Sequence, residues 1–284
     1  MISVVIGGGT MGAGIAHLLL AGGHDVVLVE AGADRVPAAR RAVEASLGKA
    51  AERGKLDADP RELLGRLAVV ERLEPVADEP LTAGLASAGL VVEAVPEDAG
   101  LKRRVLAGAA SACPDAVLAS NTSSLSISAL AEGLPGERVL GMHFFNPVPV
   151  QRLVELVHHD GVSAEVVARA RTWAEQLGKT VIEVRDAPGF ATSRLGVAVG
   201  LEAIRMLEEG VASAEDVDTG MRLGYGWPMG PLRLTDLVGL DVRLAIAEHL
   251  AAELGPRFSP PALLREKVAA GHLGRKTGQG FFTW

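Results

Sequence analysis

The feature that most constrains the fold is a glycine-rich turn between an apolar run and a helical pattern. Ile2–Ile6 is a short continuous apolar run, typical of a buried parallel strand. The residues from Gly7 to Gly12 fit the pattern G-x-G-x-x-G, and Met11–Leu20 has helical spacing. A strand, this turn and a helix in that order predict the first unit of a Rossmann-type sheet that binds a dinucleotide.

The pattern then alternates between short strands and helices. Further strand candidates, with helical patterns between them, are Asp25–Val29, Leu67–Val70, Leu90–Glu93, Ala116–Ala119 and Val139–Met142. This alternation predicts an α/β fold whose doubly wound sheet has parallel strands. Arg35–Arg66 is strongly helical and too long for a simple crossover, so we interpret it as a helical insertion at about residues 35–66.

The character of the chain changes near Asp186. Beyond it no segment has a convincing strand pattern, and glycines and prolines separate four helical patterns, Phe190–Gly210, Ser213–Leu223, Pro231–Leu254 and Pro261–Ala270. We therefore predict two domains: a Rossmann domain over residues 1–186, and an all-α C-terminal domain over residues 187–284 for substrate binding and dimerisation.

Composition narrows the class of protein. An apolar fraction of 48% with 22% charged residues is ordinary for a soluble globular chain. The net charge of −7 argues against a general nucleic-acid binder. Cys113 is the single cysteine and suits a reducing compartment. No basic segment or cleavage site precedes the first strand, and no apolar run approaches the roughly 20 residues of a membrane span. We expect a cytoplasmic protein without nucleic-acid or membrane partners.

The glycine turn has the chemistry of a pyrophosphate site. Gly7 permits a tight turn, Gly9 lets the pyrophosphate approach the backbone, and Gly12 allows close packing of helix on strand. The helix that begins around Thr10 and Met11 offers N–H groups and a positive dipole end to the phosphates. A glycine-rich turn that binds nothing is the alternative.

Glu30 predicts which dinucleotide is used. It ends the second strand, where a carboxylate can accept hydrogen bonds from both ribose hydroxyls. The same carboxylate would repel a 2′-phosphate, so we predict NAD as the cofactor. Arg35, five residues later, keeps NADP open as an alternative.

A histidine and a carboxylate form the candidate catalytic pair. His143 and Glu155 each lie in an apolar run typical of a strand, and a Pro-rich bend joins the two runs. Strand, bend and strand can bring the two side chains together away from bulk water. An imidazole oriented by a carboxylate is a general base for a hydroxyl proton, which with a nicotinamide indicates alcohol oxidation. A buried structural histidine beside a strand-edge carboxylate is the alternative.

Several strings occur in order along the whole chain. They are Gly7–Gly14, Glu93–Glu97 with Lys102, Ser120–Ser124, His143–Pro149, Pro188–Phe190, Gly230–Pro231 and Gly274–Phe281. Together they resemble the L-3-hydroxyacyl-coenzyme A dehydrogenase family, including the bacterial 3-hydroxybutyryl-coenzyme A dehydrogenases. The resemblance implies NAD-dependent, reversible oxidation of a 3-hydroxyacyl-CoA thioester in fatty acid metabolism, by a homodimer formed through the helical domain.

The resemblance also implies residue roles. His143 is the base, Glu155 orients it, Ser123 hydrogen-bonds the substrate oxygen, and Asn121 lies near the nicotinamide. A helix-capping role for the serines before Leu125–Ala131 is compatible with this.

Further roles follow from the same resemblance. Glu97 and Lys102 match positions that reach the ribose and nicotinamide, although a solvated Glu with a surface Lys is a serious alternative. Asn146 and Ser193 complete the acyl site. Ser193 stands where the family usually has an Asn; it keeps a donor and an acceptor but is shorter, so its hydrogen bond to the thioester could be longer or water-mediated.

The predicted insertion carries excess positive charge. Arg35–Lys55 contains six basic and two acidic residues, a local charge of 6 − 2 = +4. Ser46, Lys49 and Arg53 share one helix face by spacing. In the family this insertion contacts the coenzyme A nucleotide, with Ser46 and Arg53 at the aligning positions. A solvated face and an acidic acyl carrier protein as partner are the alternatives.

Three other functions are compatible with parts of the sequence pattern. His158, His159 and Asp160 could suggest a metal, but adjacent side chains at the end of a strand point apart, and we expect no metal site. A same-fold dehydrogenase could act on a carrier-bound hydroxyacyl group or on a free hydroxy or sugar acid. A non-enzymatic nucleotide-binding protein is the remaining alternative.

Overall fold

A computed structural model describes residues 1–76 and 78–284. The chain divides into two compact units, Met1–Asp186 and Ala187–Trp284.

The first unit is built on one sheet. In its described residues the strands are β1 (Ile2–Ile6), β2 (Asp25–Val29), β3 (Leu67–Val70), β4 (Leu90–Glu93), β5 (Val117–Ser120), β6 (Val139–Phe144), β7 (Leu153–His158) and β8 (Thr180–Arg185). Their order is β3-β2-β1-β4-β5-β6-β7-β8. Only β6 and β7 pair antiparallel in this sheet. The predicted doubly wound sheet is confirmed, and it is parallel except for this pair.

The central strands are continuous apolar runs because both of their faces are buried. All four residues of β3, β4 and β5 are buried, as in a parallel sheet covered by helices. The helices of this unit are α1 (Thr10–Ala21), α2 (Val36–Glu52), α3 (Pro60–Leu64), α4 (Ala99–Ala112), α5 (Ile127–Ala131) and α6 (Ala164–Gln176). Short 3-10 helices lie at Pro80–Ser87 and Gly136–Arg138.

The predicted insertion consists of two helices. α2 ends at Glu52, α3 begins at Pro60, and Gly54 between them has a φ of 62°. Val43 and Leu47 of α2 are fully buried and join the same core cluster as Ile15 and Leu19 of α1.

The second unit is helical, as predicted. Its helices are α7 (Thr192–Glu208), α8 (Ala214–Gly224), α9 (Pro231–Val238), α10 (Leu240–Leu254) and α11 (Ala262–Ala269), with 3-10 turns at Pro256–Phe258 and Arg275–Thr277. The prediction of one helix over Pro231–Leu254 is wrong. Gly239, at φ 108°, ends α9 before α10 begins, and only glycine adopts that conformation readily.

Two elements were not predicted from the sequence, α6 and β8. The residues of β8 are half-buried or exposed, and the strand pairs with β7 alone, so it lacks the apolar run that identifies the central strands. Among the residues that the structure describes, no helix has the length and hydrophobicity of a membrane span.

Candidate active site

The turn after β1 requires glycine at two positions. Gly7 has a φ of 102° and donates its N–H to Val29 O at 2.8 Å. A Cβ on Gly12 would lie 1.7 Å from Gly7 O, so a side chain there would force the turn apart. Gly9 differs, because a Cβ there would meet nothing within 4 Å, and its backbone therefore faces open space.

Glu30 lies directly after β2 and closes this turn. Its Oε2 accepts from Gly8 N at 2.5 Å, and its Oε1 is 3.3 Å from Arg35 Nε. A cleft of 1030 Å³ is lined by these residues together with Gly7, Gly9, Thr10 and Met11. Gly12 is buried in α1, under the turn.

Two cations at this cleft were missed by the sequence analysis. Arg72 and Arg104 both line it and are exposed. Arg72 follows the end of β3, at the carboxyl edge where open α/β sheets bind ligands, and this position was the available signal. An open glycine backbone, a carboxylate and two arginines fit a dinucleotide.

His143 and Glu155 face each other across the one antiparallel pair of the described sheet. They are register partners in β6 and β7, and His143 Nδ1 lies 2.6 Å from Glu155 Oε2. His143 is 7% exposed and Glu155 is fully buried. When Nδ1–H donates to the carboxylate, Nε2 is the basic ring nitrogen.

A buried lysine fixes the bend between these strands. Lys179 Nζ donates to Val148 O at 2.6 Å and to Gln151 O at 2.7 Å. Burial lowers the pKa of Lys179 to about 8. Asn146 lies exposed in the same bend. Nothing in the local sequence pattern identifies Lys179, since a lysine after a glycine usually belongs to a surface turn.

Asn121 ties the end of β5 to β6. Its Oδ1 accepts from Phe144 N at 2.9 Å, one residue after the histidine. The loop that follows is held by Glu97, whose Oε1 accepts from Thr122 Oγ1 at 2.5 Å and from Ser123 N at 3.0 Å. Ser123 Oγ lies 3.4 Å from the same oxygen. The cap of α5 is Ser126, which accepts from Ala129 N.

Lys102 is not a surface residue, so that alternative is wrong. It is 1% exposed, and its Nζ donates to both oxygens of Glu93 at 3.0 Å and to Val95 O at 3.1 Å. It also lies 3.3 Å from Glu97 Oε2. Glu93 is fully buried and accepts from Ser120 Oγ. Sequence reasoning gave Glu93 no role, although an acid that ends an apolar strand is an identifiable signal.

The pKa values of the two carboxyls around Lys102 are shifted in opposite directions. Burial raises the pKa of Glu93 and outweighs the effect of Lys102 and Ser120. Burial would also raise the pKa of Glu97, but Lys102, Thr122 and Ser123 outweigh it and hold that pKa below its ordinary value. Glu97 is therefore the acceptor that stays ionised and organises the loop.

The glycine turn, this loop and His143 share one edge of the sheet. β1, β4, β5 and β6 are parallel neighbours, so their carboxyl ends lie together. Three strand spacings separate β1 from β6, about 14 Å. An extended ligand can therefore reach from the turn to the imidazole.

The remaining predicted residues lie elsewhere. Ser46 Oγ of α2 lies 2.7 Å from His17 Nδ1 of α1, while Arg53 is exposed at the end of α2. Burial, assisted by the charge of Lys179, lowers the pKa of His17 to about 4. Ser193 is half-buried in the first turn of α7, in the second unit. In residues 1–76 and 78–284, no group of three or more His, Cys, Asp or Glu is arranged to hold a metal ion.

Two family models of known proteins together match nearly the whole length of the chain. The family model described as 3-hydroxyacyl-CoA dehydrogenase, NAD binding domain, matches residues 3–187. The model described as 3-hydroxyacyl-CoA dehydrogenase, C-terminal domain, matches residues 189–284.

Individual relatives are similar over nearly all of both chains. A probable 3-hydroxybutyryl-CoA dehydrogenase of Deinococcus radiodurans is 41% identical, covering 99% of each chain. A 3-hydroxybutyryl-CoA dehydrogenase of Mycobacterium tuberculosis is 42% identical, covering 99% of this chain and 97% of its own. The solved (S)-3-hydroxybutyryl-CoA dehydrogenase of Ralstonia eutropha has a TM-score of 0.90 at 38% identity, covering 100% and 98%. The chain belongs to the 3-hydroxyacyl-CoA dehydrogenase family.

Proposed function

We propose that the protein catalyses the NAD-dependent interconversion of a 3-hydroxyacyl-CoA and the corresponding 3-ketoacyl-CoA. The observation that carries this proposal is the buried His143–Glu155 pair, 2.6 Å apart, on the sheet edge that also holds the glycine turn. Bound NAD supplies the acceptor for the hydride.

Side chains of the protein transfer the proton. His143 Nε2 accepts the proton of the 3-hydroxyl while the C3–H bond releases its hydride, so the carbinol becomes a ketone. The Glu155 carboxylate stabilises the imidazolium that forms, and its burial strengthens that attraction. In the reductive direction the imidazolium returns the proton to the oxygen.

The substrate would be positioned by the loop after β5 and by four residues from other segments. We infer that Ser123 donates its hydroxyl hydrogen to the 3-oxygen and that Asn121 places the end of β6 beside the nicotinamide. Asn146 and Ser193 would contact the acyl thioester. Ser46 and Arg53 would contact the coenzyme A nucleotide, since a serine hydroxyl can bond His17 and a ligand together.

The cofactor is assigned to the cleft lined by Gly7, Gly9, Thr10 and Met11, with Gly12 packed beneath it. Glu30 would accept from the ribose hydroxyls, and Lys102 would act through the orientation of Glu97. The Glu30 carboxylate favours NAD over NADP, because its negative charge would repel a 2′-phosphate at that position.

We also propose a cytoplasmic homodimer in which residues 1–186 bind NAD and residues 187–284 provide dimer contacts. Large apolar side chains on the second unit support the dimer, since Leu195, Leu223 and Tyr225 are 67%, 78% and 77% exposed. Cys113 is a buried free thiol, which suits a reducing compartment. A role in fatty acid metabolism follows from the proposed substrate.

The test is a comparison of initial rates of NADH oxidation. Acetoacetyl-CoA and longer 3-ketoacyl-CoA thioesters are compared with acetoacetyl carrier protein and with free acetoacetate. We expect the CoA thioesters to have the highest kcat/KM, because the free acid lacks the nucleotide that binds to the enzyme. Faster turnover of the free acid or of the carrier-bound group would contradict the proposed substrate class.

A further inference from the structure

Arg243 of α10 is a buried arginine whose Nε has no hydrogen-bond partner among the described residues. It is 8% exposed. Its Nε is fully buried with no acceptor. Burial lowers its pKa to about 10, so the group is still a cation at neutral pH. A buried guanidinium nitrogen without an acceptor is unfavourable, which favours pairing of this group with an acceptor from outside the chain.

Four acidic side chains of α7, α9 and α10 are engaged with other groups. Asp236 accepts from the backbone of Phe281 and Phe282 and from the Trp284 indole. Asp241 lies 2.6 Å from Lys276 Nζ. Glu202 and Glu248 pair with Arg205 and Arg265. None of these four carboxylates could therefore pair with Arg243 without losing one of its present contacts.

The guanidinium occupies space that a glycine provides. A Cβ on Gly196 of α7 would lie 3.0 Å from Arg243 Nη1 and 3.5 Å from Nη2. Ser193 is three residues earlier on α7, on the same helix face, where such neighbours have Cβ positions about 5–6 Å apart. Ser193 is the residue proposed above to contact the acyl thioester, so the guanidinium packs against α7 one helical turn from that residue.

We propose that Arg243 binds a carboxylate at the far end of the substrate's acyl chain. This inference rests on the proposed function. C1 of a thioester is bonded to sulfur, so any carboxylate must lie further along the chain. A guanidinium presents two parallel N–H groups that fit a carboxylate, and it loses less to desolvation than an ammonium. The preferred substrate is then a dicarboxylic 3-hydroxyacyl-CoA.

The experiment compares two 3-ketoacyl-CoA thioesters of equal length, one ending in a methyl group and one in a carboxylate. We expect the wild-type protein to favour the carboxylate in kcat/KM on the order of 100-fold, because the neutral chain leaves Arg243 buried and unpaired. Arg243→Met should abolish the preference. Arg243→Lys should retain part of it, since it keeps the charge but not the paired donors. Arg222→Met, which removes an exposed arginine of α8, is the matched control and should keep the wild-type ratio.

Thermal unfolding of the ligand-free proteins gives a second readout. Arg243→Met should unfold at the same or a higher temperature than wild type, because it removes an unpaired buried charge. A clearly lower temperature would show that the guanidinium has a partner within the chain, which would overturn the proposal.

The outcomes separate this inference from the function on which it rests. Equal or better use of the methyl-terminated thioester, with a ratio that Arg243→Met does not change, would overturn the role of Arg243 and leave the dehydrogenase function intact. Failure to turn over either thioester would overturn both.

Discussion

We propose that Glu30 is the residue that discriminates between the two nicotinamide dinucleotides. Its carboxylate is held by Gly8 N and lies 3.3 Å from Arg35 Nε. Glu30→Ala should raise the kcat/KM ratio of NADPH to NADH by about tenfold or more, because it removes the repulsion and frees Arg35 for a 2′-phosphate. Steady-state rates with both cofactors measure this. Glu44→Ala, at an exposed carboxylate paired with Arg40, is the control; an unchanged ratio in Glu30→Ala would exclude the assigned role.

Lys102 stabilises the loop of Ser123 through two carboxylates. Lys102→Met leaves Glu93 buried without its cation, and we expect a loss of about 3–5 kcal/mol in the free energy of unfolding. Adding Glu93→Gln should recover part of that loss, because the buried charge is then removed. Urea unfolding of the single and double variants measures the coupling. Strictly additive losses would mean that the two side chains do not act as a pair.

Some residue contacts follow from the sequence and others do not. The strand, bend and strand pattern predicts that His143 and Glu155 approach each other, and they are register partners. The bond between His17 and Ser46 joins two helices 29 residues apart, and nothing local in either segment indicates it. The same is true of Lys179, which reaches a bend 28 to 31 residues earlier.

At the scale of elements, the contact between α1 and α2 depends on a neutral imidazole. The pKa of His17 is about 4 in the folded protein and 6.5 ordinarily, so between these pH values the unfolded chain binds the extra proton. Stability is therefore complete above pH 6.5 and falls as the pH drops toward 4. The loss is on the order of 3 kcal/mol for this nearly fully buried residue.

A substitution tests this pH dependence. His17→Asn keeps a polar group near Ser46 but cannot titrate, so its free energy of unfolding should fall less between pH 6.5 and 4 than that of wild type. His158→Asn, at a half-exposed histidine that ends β7, is the control. Parallel curves for wild type and His17→Asn, from urea unfolding at several pH values, would be evidence against this linkage.

Element prediction succeeded where burial was uniform and failed where it was not. β1 to β6 are continuous apolar runs and all were predicted, with small differences at their ends. β8 is exposed or half-buried along its length, so its composition does not distinguish it from a loop. The helical pattern over Pro231–Leu254 continues across Gly239, whose φ of 108° breaks the helix in a way that periodicity does not record.

At the scale of the whole molecule, the second unit carries the surface proposed for dimerisation. Ala203, Met206, Val217 and Met221 line an apolar cavity of 610 Å³ next to the exposed Tyr225. Leu223→Glu should convert the dimer to a monomer, because it places a charge among apolar groups that a partner would cover. Light scattering after gel filtration measures the mass. Glu209→Gln, at an exposed position of the same unit, should remain dimeric; a Leu223→Glu protein that stays dimeric would exclude this surface.

The most direct test of the catalytic pair is the rate of His143→Gln with acetoacetyl-CoA and NADH. Glutamine keeps a polar side chain of similar reach but cannot transfer the proton, so kcat should fall on the order of 1,000-fold. The Kd for NADH, measured by fluorescence titration, should stay close to the wild-type value. Glu155→Gln should give a smaller loss in kcat, because the imidazole remains while its stabilising charge is gone. A folded His143→Gln protein that keeps the wild-type kcat would contradict the assignment of His143 as the base.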